Sequence, residues 1–109
     1  MFFFSRWWYE QTIETRKEVL ALYEEGRLEF LLGGWVANDE ACPIYEEIED
    51  NIMAGHEFLR RELKVTPPRI AWLVDSFGHG GATPDLFQKL GFDSLVFARV
   101  SDVEKEVRK

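Results

Sequence analysis

The residues best suited to chemistry in this 109-residue chain fall in three short segments, each placed after an apolar run. Asp75-Ser76-Phe77-Gly78-His79-Gly80-Gly81 follows residues 70–74, Asn38-Asp39-Glu40 follows residues 28–32 and the turn Gly33-Gly34-Trp35, and Arg99 follows residues 94–98. Asp75 stands out. A carboxylate at the end of an apolar run starts in a low-dielectric wall and needs a metal, a cation or backbone donors. The glycines behind it let backbone, metal or substrate come close. A second reading is that Asp75 only caps its loop through its own backbone. His79 is either a direct site residue or the donor of a loop-organising hydrogen bond. Arg99 either clamps an anionic or hydroxyl-rich ligand or pairs with Asp75 in a structural bridge. Trp35 and Phe77 offer aromatic faces that suit a flat apolar ligand surface or ordinary packing. Asp39 and Glu40 form a second carboxylate pair, or are solvated and capping acids. His56 lies on an apolar helical stripe and reads as a core histidine. Pattern alone does not separate a hydrolase from another α/β enzyme.

Positioning these segments requires an alternation of elements. Apolar spacing predicts a helix over 6–25 stopped by Gly26, and a strand over 28–32 ended by Gly33-Gly34. A long helix over 44–63 follows, with Ile44, Ile48, Ile52, His56, Leu59 and Leu63 at three- and four-residue steps. Pro67-Pro68 breaks the chain. Residues 70–74 read as a strand buried on both faces. Thr83-Pro84-Asp85 reads as a helix start with Thr83 at the N-cap, and 94–98 as a third strand before a polar tail. Helix–strand alternation indicates an α/β fold of parallel βαβ units. In such folds ligands bind beyond the carboxyl ends of the strands, so the three segments are expected on one rim. Three strands are few for an independent sheet, which points to a piece of a larger domain.

Composition narrows the function classes. Thirteen basic against twenty acidic residues give a net charge of −7, and without a basic stripe this excludes a phosphate-backbone binder. Cys42 is the only cysteine, so neither an internal disulfide nor a cysteine-based zinc site is available. No apolar stretch approaches the roughly 20 residues of a membrane span. The opening residues do not read as a signal peptide, since Ser5 and Arg6 interrupt the apolar run. Four Trp and nine Phe are many for this length, and Phe2, Phe3, Phe4, Trp7 and Trp8 are expected to want a partner surface.

Several motifs, taken together in order, resemble glycoside hydrolase family 38 α-mannosidases, nearest to the lysosomal type. They are Phe3-Phe4-Ser5-Arg6-Trp7-Trp8 with Gln11; Gly26-Arg27-Leu28-Glu29-Phe30; Gly33-Gly34-Trp35-Val36 and Asn38-Asp39-Glu40-Ala41; Gly55-His56 with Phe58-Leu59; Asp75-Ser76-Phe77-Gly78-His79; Leu86-Phe87 and Gly91-Phe92-Asp93; and Phe97 with Arg99. The likeness covers nearly the whole chain and weakens after Asp102. It implies that residues 1–109 are part of the N-terminal catalytic domain, an incomplete (β/α) barrel-like unit. It implies a zinc-dependent retaining enzyme that removes terminal α-mannosyl residues from N-glycans or free oligosaccharides. Asp75 would be both nucleophile and zinc ligand, Phe77 would line the mannose subsite, and Arg99 would lie near the nucleophile. A lysosome or other secretory-pathway lumen is the implied compartment.

Two departures stand out: Ser76 where family members usually have Pro, and Gly80 where they have Ser, both expected to loosen the nucleophile loop. The family's His-x-Asp zinc motif, its acid/base Asp and a further zinc-binding His lie outside the matched segment. By itself the chain is therefore expected to hold zinc weakly, to lack turnover and to fold poorly, with the remainder of a parent polypeptide as its partner. The alternative is a catalytically inactive truncated homologue that acts at most as a weak sugar- or partner-binding module.

Overall fold

The structure, a computed structural model, describes residues 1–107. The helix expected over 6–25 is two helices, α1 (Phe2–Glu10) and α2 (Ile13–Glu24). Thr12 causes the break. Its backbone is extended and its hydroxyl accepts the Thr15 N–H at 3.2 Å, which makes it the N-cap of α2. Arg16 reaches back over the joint, donating to the Trp8 carbonyl at 2.9 Å, which also accepts the Gln11 N–H, and to the Tyr9 carbonyl at 3.1 Å. Gly26, at φ 69, ends α2 as expected, with the Arg27 N–H returning to the Leu22 carbonyl.

The strand expected over 28–32 does not form a ladder. It joins the sheet by one bond, from the Leu32 N–H to the Ile70 carbonyl at 2.8 Å. Leu32 and Gly33 have φ of 57 and 72, and this left-handed pair turns the chain away from its neighbour. The backbone groups that follow are satisfied by α3 (Tyr45–Phe58) instead. The Asn51 carboxamide accepts from the Val36 N–H at 2.8 Å and donates to the Val36 carbonyl at 3.2 Å, while the Asn51 carbonyl takes the Trp35 N–H at 2.9 Å. His56 Nε2 donates to the Leu32 carbonyl at 2.9 Å, confirming a core role. The face of a helix thus does what a neighbouring strand would do. The long helix itself is where the spacing puts it. Its last turn is π-helical (Leu59–Leu63) and stops at Lys64, φ 59.

β1 (Ile70–Leu73), α4 (Thr83–Lys89) and β2 (Ser94–Phe97) make the expected parallel unit, with Ile70 opposite Ser94 and Leu73 opposite Phe97. Two-sided burial of β1 is not observed. Ala71 and Leu73 are buried, but Trp72 is 46% exposed and stands opposite Val96, also exposed. Side chains alternate across a strand, and α3 and α4 cover only one face, where Ile48, Ile52, Ala71, Leu73, Phe87 and Phe92 form one core. A second core joins Trp8, Phe30, Phe58, Leu59, Leu63 and Val65, with Trp35 packed against it as an ordinary core neighbour. Phe3, by contrast, is 81% exposed. α5 (Asp102–Val107) has no buried residue. Among the described residues no helix is long and apolar enough to cross a membrane.

Candidate active site

The carboxyl ends of β1 and β2 place Asp75, Phe77 and Arg99 side by side, as the strand-end rule requires. Arg99 Nη2 is 3.1 Å from Asp75 Oδ1, and its guanidinium carbon sits 5.5 Å from the centre of the Phe77 ring. One cation therefore touches both the carboxylate and the aromatic face. Phe77, 64% exposed, and Arg99 line an open depression of about 660 Å³ together with His79 and Phe97. The low-dielectric wall expected around Asp75 is absent: its side chain is 98% exposed, in the bend beyond Leu73, the last residue of β1. Its partner is Arg99, so neither the cap reading nor the buried-carboxylate reading describes it. At this exposure the ion pair contributes little to stability.

Segment 38–40 meets the loop after β1 at two points. The Ser76 hydroxyl donates to the Asn38 carbonyl at 2.8 Å, so Ser76 is tethered, contrary to the loosening expected of it. Glu40 collects three donors: His79 Nδ1 at 2.9 Å, the Gly80 N–H at 2.5 Å and the Thr83 hydroxyl at 2.5 Å. Its side chain is only 3% exposed. Burial pushes the Glu40 carboxyl up, but the bonds from Thr83, Gly80 and His79, with the His79 charge, together hold it below the usual range. Thr83 is consequently not the N-cap of α4. Ala82 holds that position and the Thr83 hydroxyl points to Glu40. Of the two readings of His79, the loop-organising bond is the one realised. A carboxylate only accepts, so Nδ1 carries the proton.

Asp39, next to Glu40, caps its own turn through the Ala41 N–H at 2.9 Å. The roles of Asn51 and Ser76 were not legible from composition. For Asn51 the available signal is a carboxamide within the Ile48-Ile52-Gly55 stripe of a helix that approaches a Gly-Gly turn. Among the described residues no group of three or more His, Cys, Asp or Glu side chains converges on one point, and Asp75 already faces Arg99. These residues by themselves do not fit a zinc centre, which takes three or four protein ligands.

Comparison with known proteins gives the site its context. The model of the glycosyl hydrolases family 38 N-terminal domain matches residues 1–108. Lysosomal alpha-mannosidase of Cavia porcellus is 46% identical over 110 residues, all of this chain and 11% of that protein. The Homo sapiens lysosomal alpha-mannosidase is 45% identical over 107 residues, 97% of this chain and 11% of its own length. The alpha-mannosidase of Canavalia ensiformis is 43% identical over 110 residues, with 100% and 11% covered. The chain thus spans about a tenth of the length of the curated relatives it matches. On the match of the family model to nearly every residue, the chain belongs to the glycosyl hydrolases family 38 N-terminal domain.

Proposed function

We propose that this chain is the nucleophile-bearing segment of a zinc-dependent retaining α-mannosidase, part of a barrel-like catalytic domain, acting on terminal α-mannosyl residues of N-glycans or free oligosaccharides. The observation that carries the reading is the contact of Arg99 with both Asp75 and Phe77 at the strand ends, in a chain whose relatives are named alpha-mannosidases. In the retaining reaction Asp75 Oδ bonds to the anomeric carbon as the bond to the leaving oxygen breaks. A second carboxylic acid, supplied from outside this segment, protonates that oxygen and afterwards takes a proton from the incoming water. Arg99 aims the Asp75 carboxylate, and Phe77 presents a ring face to the sugar. The exposure of Asp75 and Phe77 suits groups that meet a substrate. Zinc would supply Lewis-acid binding of sugar hydroxyls in this chemistry only with ligands from outside this segment, to which Asp75 would add one. The names of the mammalian relatives support a lysosome or another secretory-pathway lumen.

The reading is tested by putting residues 1–109 in place of the matching 110 residues of the Cavia porcellus protein. The chimera is expected to hydrolyse an aryl α-mannoside with retention, and Asp75→Asn to abolish turnover. An active Asp75→Asn chimera would sink the assignment. The purified chain alone is expected to show no turnover. A second reading, an inactive sugar- or partner-binding module, draws on the exposed Trp72, Val96 and Phe3. It predicts a chimera that folds and binds mannoside without cleaving it.

A further inference from the structure

Asp75 hangs from a glycine-rich loop, and the site works only if that loop is held. The loop has no ladder of its own between Leu73 and Thr83. It is gripped from the opposite side of the rim, at Ser76 by the Asn38 carbonyl and at His79 and Gly80 by the Glu40 carboxylate, which also takes the first hydroxyl of α4. We propose that Glu40 is a positioning residue for the nucleophile loop, closing a clasp that, with Asn38, fixes Asp75 and Phe77 in front of Arg99.

Three observations support the clasp. Glu40 is an almost fully covered carboxylate on an acidic chain, and it has three donors aimed at it; charge-assisted bonds of this kind are the strong ones. Its partners come from two elements, the loop and α4, so one side chain ties segment 38–40 to both. Segment 38–40 is itself anchored: Trp35 and Val36 are bonded to Asn51 of α3, and α3 lies on the core. A rigid path thus runs from α3 through residues 35–40 to the loop. The Glu40 carboxylate is held low by its hydrogen bonds against the opposing effect of burial, as an acceptor-only group needs. Among the described residues His79 is the one titratable side chain bonded to it. Of the other charged groups nearby in sequence or on the packed elements, Asp39 bonds Ala41, Asp75 and Arg99 bond each other, and Asp85 lies in the first turn of α4.

The catalytic importance of the clasp rests on the reading of Asp75 as nucleophile, but the clasp itself is read without turnover. A failed mannosidase assay leaves it standing, and its own failure leaves the Asp75 assignment untouched. The experiment is heteronuclear NMR on the 109-residue chain and its Glu40→Gln variant at neutral pH. In the wild type, long-range proton–nitrogen correlations are expected to show His79 protonated at Nδ1. In Glu40→Gln the amide oxygen accepts more weakly than the carboxylate, and the His79 Nδ1 proton is expected to exchange faster. The Gly80 amide should exchange at least about tenfold faster, the equivalent of losing one charged hydrogen bond. The Asp75 and Phe77 amides should shift while Ile52 in α3 does not. Unchanged exchange of the His79 Nδ1 proton and the Gly80 amide in a folded Glu40→Gln chain overturns the proposal. If that variant does not fold, the wild type decides it. The Glu40 carboxyl carbon and the Gly80 and Thr83 amides are expected to titrate with one midpoint, and separate midpoints overturn it.

Discussion

Gly55 is where the grip of α3 on the rim is most sensitive to a single atom. A glycine inside a helix normally costs about 0.5–1 kcal/mol relative to alanine, so Gly→Ala in an open helix stabilises. At Gly55 a Cβ would land on the Gly33 carbonyl oxygen, 2.7 Å from Gly34 C and 2.8 Å from Trp35 N. All three are backbone atoms, and none can rotate aside. Alanine therefore forces α3 away from residues 33–35, loosening the Asn51–Val36 pair and the His56–Leu32 bond. Overpacking costs about 1–3 kcal/mol, and each hydrogen bond weakened contributes about 0.5–1.5 kcal/mol. The expected net loss is about 2–4 kcal/mol, a large share of the roughly 5–15 kcal/mol typical of a small domain. Urea unfolding followed by tryptophan fluorescence should show a lower midpoint at unchanged m. Gly81→Ala is the control, because its added Cβ meets nothing within 4 Å and its φ is not positive; it should stay within about 0.5 kcal/mol of the wild type. A Gly55→Ala midpoint equal to or above that of the wild type refutes the close approach of helix and turn.

Other outcomes can be checked on the same chain. Burial, aided by Arg60, holds the His56 imidazole below its ordinary value although the Leu32 bond opposes this. The unfolded chain thus binds the proton more readily. The stability from neutral His56 is fully present above about pH 6.5 and is lost as pH falls toward its folded value. Urea midpoints between pH 7.5 and 5 should fall in the wild type and flatten in His56→Gln; equal slopes would contradict this. Thr12→Ala removes the α2 cap and should cost about 1 kcal/mol, with Thr12→Ser retaining most of it; an unchanged thermal midpoint for Thr12→Ala would refute the capping role. Gly80→Ser restores the residue usual in the family. Its Cβ would sit 3.4 Å from Glu40 Oε2 and 3.5 Å from Thr83 Oγ1, ordinary contacts, so a gain of about 0.4–1 kcal/mol through the unfolded chain is expected, and a clear loss would show the clasp to be tighter than described.

The sequence was most informative where periodicity and local chemistry agree. The 44–63 stripe became α3 and its π-helical turn, the Ile70 and Ser94 runs became parallel neighbours, and the strand-end rule brought Asp75, Phe77 and Arg99 together. Errors arose where a polar side chain redirected the backbone. Thr12 falls inside the helix expected over 6–25, yet its hydroxyl starts a new helix. Thr83 looked like a cap, yet its hydroxyl is drawn off by an acid 43 positions earlier. The 28–32 run has the composition of a strand, but φ at Leu32 and the donors of α3 decide its path, and both depend on tertiary contacts. One-sided burial of β1 was hidden for another reason: an apolar run reports what a strand can cover, not how many layers lie against it.

α3 belongs to both cores. Ile48 and Ile52 serve one, Phe58 the other, and the turn after it adds Leu59 and Leu63. Neither core can open at its own denaturant concentration while this helix stays intact, and loss of the helix dissolves both. The cooperative unit therefore runs from α1 through β1 to α4, and probes in either core should report a single coincident transition, against the expectation from sequence that the chain folds poorly by itself. α2 is tied to the second core through Val19, Leu20 and Tyr23, whereas α5, which buries no residue, falls outside this unit and forms its low-free-energy fringe, the part that opens first without disturbing the rim on which Asp75 is held.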